Sequence, residues 1–377
     1  MSARFPLAVA RAPLAAFAAM GVLWGTFAAV LPDLKTMLGV DEARLGLLIF
    51  VTPIAAVVAM LLAPAFGARM GRIAMPMATL AMALAFALPG QAMVLWLFPL
   101  AMMCCGAATG LTDVLMNARV ATLENDRGLH LMNLCHAAYS FGYAGGALGT
   151  GALRSMEWGP GAVMGTMALV GVVLALLTWE RDGAISGLAR PEGGGGGLGM
   201  LPMIGGGIVL IAFLTENAAE NWSALHIEKT LGGSPAEGAL GPAALAITMG
   251  IARLVGQGFA ARVNPVRLLV GGAVISASGA VVAAMATSPA MAYAGFIVMG
   301  IGSSVIAPTA FSLVGREAAP EARARAVARA TLYGYFGYFF GPPMLGFVAG
   351  AFGLRAAFLF AAAVLLCVPL LARAISR

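Results

Sequence analysis

Apolar runs of about twenty residues follow one another along nearly all of this 377-residue chain, and no other property limits its possible folds so sharply. A helix of about twenty apolar residues crosses the roughly 30 Å hydrocarbon core of a bilayer. Inside that core each backbone amide must be satisfied within the protein, which leaves helices or closed barrels. Strand-length alternation is absent, which argues against a barrel. Only 10% of the residues are charged and mean hydropathy is +0.93, against about 25% charged residues in a soluble domain. The expected fold is an all-α polytopic membrane protein held in a lipid bilayer.

The runs and their interruptions predict twelve spans, at 12–32, 45–67, 73–91, 94–118, 129–152, 160–179, 201–225, 239–261, 268–286, 290–314, 330–349 and 356–372. The basic start of residues 1–17 leads into an apolar run that continues to Leu31, with no small-residue cleavage site closing a short core. It reads as a first span rather than a cleaved signal. With the N-terminus inside, sixteen Lys and Arg fall in inside segments and five in outside ones, and Arg253 lies within a span. That bias predicts both termini in the cytoplasm. The net charge of +6 is spread through short loops, which suits topology setting rather than nucleic-acid binding. The four cysteines lie in apolar runs without metal or disulfide spacing and read as packing residues. No metal and no cofactor are implied.

The longest loop, 179–199, is polar and ends in a glycine run, the composition of a flexible linker. No Lys-Ser/Thr follows the glycines at 193–197, so the phosphate-loop signature fails. The loop divides the chain into six spans in 1–180, a linker at 181–200, and six spans in 201–377. The halves repeat. AFGARM at 65–70 matches GFAARV at 258–263, and Glu124 matches Glu317, both at offset 193; AYSFGYAGGALGTG at 138–151 resembles LYGYFGYFFGPPMLG at 332–346, where Gly142, Gly146 and Gly151 meet Gly337, Gly341 and Gly346 at offset 195. A duplicated six-helix unit is one transporter plan, with solute bound between the halves near the bilayer midplane.

Ionisable groups inside a membrane are costly and mark functional sites by default. The stretch 106–151 reads as two helices joined by a charged loop at 124–127, with Asp113 and Asn117 on one face of the first. Asn133, His136, Tyr139 and Ser140 lie on the second. By the helical rise, Asp113 and His136 come level on neighbouring helices. Either they serve proton coupling and solute binding, or Asp113 pairs statically with His136 or Arg119. At offset 193 the counterpart of Asp113 is Ile306, so this acid is not a duplicated packing feature. Glu216 and Glu220 stand one turn apart, as do Asn217 and Asn221. Glu216 is a second proton-site candidate, and the asparagines suit a polar solute. Glu220 is expected near the outer boundary, wetted, in a gate or as an interfacial charge, with Trp222 as a possible interface anchor. Arg253 either pairs with a carboxylate or binds an anionic solute. Trp24, Tyr333, Tyr335 and Tyr338 either line an aromatic cavity or pack. Gly142/Gly146, Gly145/Gly149 and Gly337/Gly341 have the spacing of close helix approaches, and Pro342-Pro343 interrupts helical hydrogen bonding as a hinge does.

At this point the chain resembles the major facilitator superfamily over its whole length. Pro64-Ala65-Phe66-Gly67-Ala68-Arg69-Met70-Gly71-Arg72 is similar to the family's G-x-x-x-D-R-x-G-R loop. Arg69, Gly71 and Arg72 fit, while Pro64 and Ala68 replace the first glycine and the acid. Within the superfamily the chain is most similar to the fucose-permease-like branch. Asp113-x-x-x-Asn117 followed by Leu131-Met132-Asn133 and His136 carries that likeness, as do Glu216-Asn217-Ala218-Ala219-Glu220-Asn221-Trp222-Ser223-Ala224 and Gly334-Tyr335-Phe336-Gly337 leading to Gly341-Pro342-Pro343 and Gly346. The resemblance implies two pseudo-symmetric six-helix bundles in a bacterial-type inner membrane and solute transport, often of sugars with protons. It implies gating roles for Arg69, Gly71, Arg72, Gly341, Pro342 and Pro343.

The resulting expectation is a secondary transporter, not an enzyme, that moves a small polar solute by alternating access, with sugars and polyols among the candidates. Proton symport would run through Asp113, Glu216 and His136. Solute would meet Trp24, Asn117, Asn133, His136, Tyr139, Glu216, Asn217, Glu220, Asn221, Arg253 and Tyr335. A monomer is expected. The alternatives are a proton-coupled exporter of a metabolite or drug and, from another class, a non-transporting receptor or scaffold. No HExxH or GxSxG motif has a suitable context for an intramembrane enzyme.

Overall fold

The computed structural model of the chain describes residues 4–129, 131–185, 198–260, 263–319 and 322–375. After a short helix, Arg4–Val9, the helices run in order: α1 Arg11–Leu38, α2 in two pieces Glu42–Ile49 and Val51–Met70, α3 Ala74–Ala85, α4 Leu97–Arg127, α5 Met132–Ser155 and α6 Pro160–Leu177. The second half follows with α7 Leu201–Leu225, α8 Pro235–Ala260, α9 Pro265–Met285, α10 Pro289–Glu317, α11 Arg323–Phe352, and α12 in two pieces Leu354–Leu365 and Val368–Ile375. Among the described residues there is no strand. Nine segments of the described residues are long and apolar enough to cross a membrane on composition alone, one of them the stretch Glu42–Gln91 that holds both α2 and α3. The helices outside that set are α5 and α11.

Local sequence sets the helix ends. Ser234-Pro235-Ala236-Glu237 is a reciprocal capping box, in which the Ser234 amide donates to Glu237 Oε2 at 2.8 Å and the Glu237 amide to Ser234 Oγ at 3.3 Å. Asn264 and Ser288 accept from the first-turn amides of α9 and α10, each followed by a proline that is already set for a helix start. Helix α4 runs through the expected charged loop at 124–127 and stops at Gly128, whose φ of +62° favours glycine. Glu124 Oε1 accepts from the amides of Leu131 and Met132. The acid expected in a loop is therefore the residue that starts the next helix. The third span is shorter than its apolar run, because Pro89-Gly90-Gln91 turns as a 3-10 helix.

The packing repeats at an interval of six helices. Helix α1 packs on α5 as α7 packs on α11; α2 on α4 as α8 on α10; α3 on α6 as α9 on α12. These are two pseudo-symmetric bundles. They meet through α5 against α8, and through α11 against the Glu42–Ile49 piece of α2. Small residues bring the helices together: a Cβ added at Gly146 would strike the backbone of Val22, and one at Gly142 that of Ala18. Gly145 differs, with nothing within 4 Å of an added Cβ, and Gly149 faces only the Met167 side chain. The Gly142/Gly146 pair is thus a helix crossing and the Gly145/Gly149 pair is not. Residues 186–197 of the expected linker, with its glycine run, lie outside the described residues, as do Ala261 and Arg262 of the second repeat motif.

Candidate functional site: a central cavity between the bundles

A cavity of about 310 Å³ lies between the two bundles, at the small end of the roughly 300–1,000 Å³ usual for small-molecule sites. Helices α1, α2, α4, α5, α7, α8 and α11 wall it. Trp24, Asp113, His136, Tyr139, Glu216, Asn217, Glu220, Asn221, Arg253, Tyr335 and Pro342 all line it. These residues come from six helices that no sequence spacing relates.

Asp113 is the most connected of the cavity acids. Asn117, one turn along α4, donates from Nδ2 to the Asp113 carbonyl at 2.8 Å and to its Oδ1 at 3.1 Å. From the other bundle, the Tyr335 hydroxyl donates to Asp113 Oδ2 at 3.3 Å. His136 does not pair with Asp113; its ring stands edge-on to Phe17, with centroids 5.0 Å apart. Arg119 does not pair with it either. Its guanidinium holds Glu180 Oε2 at 2.8 Å and the carbonyls of Asp182 and Ala184, each at 2.6 Å, and so ties down the chain leaving α6. Across the cavity, Arg253 Nη2 lies 4.0 Å from Glu216 Oε1, which makes Arg253 an intramembrane cation facing a carboxylate. Glu216 Oε1, Asn217 Oδ1 and Thr52 Oγ1 are buried with no hydrogen-bond partner, and all three residues line the cavity.

Aromatic rings form much of the remaining wall. Phe213 stacks on Tyr338 with centroids 4.6 Å apart, and Tyr335 and Tyr338 are 6.1 Å apart. Tyr139 and Tyr143 are 6.0 Å apart on α5. Trp24 donates from Nε1 to Thr109 Oγ1 at 3.3 Å. Tyr143, Phe213, Phe17 and Thr52 belong to the wall but carry no charge inside an apolar run, so the sequence alone gave no reason to single them out.

Glu220 belongs to the cavity wall and not to the outer boundary, because α7 runs on past it to Leu225 and continues as a π-helical turn, His226–Thr230. Trp222 is fully buried, so it is no interface anchor. Several candidates lie off the wall. Asn117 acts through Asp113, while Asn133, Tyr333, Gly341 and Pro343 are outside the lining. Gly341 is nonetheless close behind it, since an added Cβ would come within 3.1 Å of Asn217 Oδ1. Arg69 and Arg72 are exposed at the end of α2. Arg72 stands over the Trp179 ring at 5.9 Å, and Gly71 has a φ of +56° that a side chain disfavours.

The face opposite the linker holds a further cluster. Arg154, near the end of α5, donates from Nε and Nη2 to Asp33 of α1 at 2.6 Å each, and from Nη1 to the Ala29 carbonyl at 2.7 Å. The same guanidinium reaches Glu228, beyond α7 in the other bundle, at 2.6 and 2.9 Å. Near this face α11 packs along Glu42–Ile49, yet it hardly touches Val51–Met70. The bundles are joined at this face, and towards the linker α11 parts from α2.

The family model of the Major Facilitator Superfamily matches residues 206–376. An MFS-type transporter of Yersinia pestis is 31% identical over 372 residues, covering 96% of this chain and 94% of that one. Among solved structures, a bacterial homologue of the human lysosomal transporter Spinster, inward-facing and occupied, overlays with a TM-score of 0.79 at 15% identity, over 100% of this chain and 98% of its own. The fucose:proton symporter of E. coli overlays with a TM-score of 0.59 at 18% identity, over 97% and 98%. At those identities the two structures speak for the fold alone. The Yersinia relative, at 31% identity along nearly the whole of both chains, carries the further conclusion: this chain belongs to the major facilitator superfamily and is a multi-pass membrane transporter.

Proposed function

We propose that the chain couples the movement of a small polar solute, within the sugar and polyol class, to symport of protons by alternating access. In this reading it works as a monomer in the inner membrane with both termini in the cytoplasm. The observation that carries the reading is the hydrogen bond from Tyr335 of one bundle to Asp113 of the other, on the wall of the central cavity. A hydrogen bond to an ionised carboxylate is roughly twice as strong as one between neutral groups. Adding a proton to Asp113 therefore weakens a link between the bundles, and removing it restores the link. One protonation event thus biases the two arrangements of the bundles, which is what coupling requires. Glu216 facing Arg253 is a second carboxylate whose charge the cycle can alter.

The test is solute transport by protein reconstituted in liposomes. Asp113→Asn keeps a hydrogen-bonding side chain without the titratable group. It is expected to abolish accumulation driven by a proton gradient while leaving solute counterflow. Unchanged gradient-driven accumulation in that variant removes Asp113 from the coupling. Accumulation against an outward gradient only would favour export, and absence of counterflow for every solute tried would favour a receptor or scaffold.

A further inference from the structure

The charges of the cavity do not balance. Asp113, Glu216 and Glu220 line it, with Arg253 as the one guanidinium in the lining. Asp113 is served by the neutral donors Asn117 and Tyr335. Arg253 stands against Glu216. If Asp113 carries the proton, as proposed above, Glu220 is the cavity acid with no ion pair of its own among the described residues. A carboxylate at membrane depth is costly unless a proton or a cation neutralises it, and a cationic solute can be that partner.

The wall that Glu220 shares indicates what that partner is. Tyr139, Tyr143 and Tyr338 line the same cavity as Glu220. The faces of aromatic rings attract cations and repel anions. The neighbouring Glu216 Oε1 and Asn217 Oδ1 are acceptors without donors, on residues only 5% and 7% exposed. Buried acceptors left open in this way call for a ligand rich in N–H and O–H groups. A neutral sugar supplies the donors but leaves the charge unmatched, and an anionic solute adds to the imbalance.

We infer that the cavity takes a small polyhydroxylated ammonium solute, an amino sugar or amino polyol, whose ammonium group sits at Glu220 among the three tyrosines while its remaining donors meet Glu216 and Asn217. This rests on the carrier reading only for the assignment of the proton to Asp113.

Matched pairs test it, each an amine and its hydroxyl counterpart on one skeleton: glucosamine with glucose, and 1-amino-1-deoxysorbitol with sorbitol. Binding is read by thermal shift of the purified full-length protein at neutral pH. The ammonium member is expected to bind at least about tenfold more tightly, the equivalent of ~1.4 kcal/mol, and Glu220→Gln is expected to remove that difference. Equal or better binding of the neutral members overturns the inference, as does failure of both amines to bind. An amine preference that survives Glu220→Gln overturns the assignment to Glu220. Should Glu220→Gln fail to fold, Tyr143→Phe and Tyr143→Leu replace it, with amine preference expected to persist in the first and fall in the second. Counterflow separates this from the carrier reading: transport of neutral sugars without amine preference sinks only the ammonium solute, and ammonium binding without counterflow sinks only the carrier.

Discussion

At the scale of single residues, the ionisable groups inside this chain divide into those fixed by partners and those left open to the cavity. Arg154 is the most fixed, with its side chain 2% exposed and carboxylates from both bundles within 2.9 Å. Taking one member out of a buried ion pair costs about 3–5 kcal/mol, because the remaining charge is stranded. Arg154→Met leaves Asp33 and Glu228 facing one another without a cation and is expected to lower the melting temperature in detergent markedly. Adding Glu228→Gln should recover part of the loss; an unchanged melting temperature in the single variant contradicts the clamp. Tyr335 is the opposite case, making one hydrogen bond to a carboxylate in the cavity. Tyr335→Phe removes an interaction worth roughly 1.5–3 kcal/mol when the acceptor is charged. It should therefore reduce the proton-driven accumulation ratio by at least about tenfold while the melting temperature stays within a few degrees. Asp113 was legible as a candidate because an acid in an apolar run stands out; Tyr335 as its partner was not, since 222 positions separate them.

At the scale of helices, small residues decide which surfaces meet. Helix α1 approaches α5 at Gly21 and Gly25 from one side and at Gly142 and Gly146 from the other. Gly146→Leu is expected to prevent the crossing and abolish a monodisperse species in size-exclusion chromatography. Gly145→Ala, with open space at the added carbon, should be neutral or stabilising by up to ~1 kcal/mol, since alanine favours helix over glycine by about that much. Equal behaviour of the two variants would show that the spacing alone, and not the approach, matters. The sequence showed both glycine pairs, because spacing is a local property. It did not show which pair faces a neighbour, because that depends on the rotation of α5 about its axis, set by packing on α1 and α8.

At the scale of the whole molecule, the two bundles are joined at the face opposite the linker, and α11 parts from α2 towards it. The Arg154 cluster and the packing of α11 on Glu42–Ile49 both lie there. Opening that face requires both contacts to break, which is the rigid-body change expected of a carrier built from two parallel repeats. A Cβ at Gly350 would stand 3.2 Å from that of Ala43 in the other bundle, near the separation of a disulfide pair. Ala43→Cys with Gly350→Cys, in a background lacking the native cysteines, should stop transport on oxidation and regain it on reduction. Transport that continues with the crosslink formed would mean that this face need not open.

What the sequence alone determined is whatever local composition controls: helices of membrane length, their number and order, the internal repeat, and the presence of acids where a bilayer makes them costly. It also placed several helix ends, through capping residues and prolines. It missed the end of α4, where an acidic turn remains helical so that Glu124 can hold the first amides of α5. Only the tertiary structure decided which polar residues share a cavity, that Arg119 belongs to Glu180 and not to Asp113, and that Arg154 bridges the bundles. The reason is physical: a membrane helix carries its hydropathy in sequence, but the partner of a buried charge is chosen by helix rotation and by contacts between segments far apart in the chain.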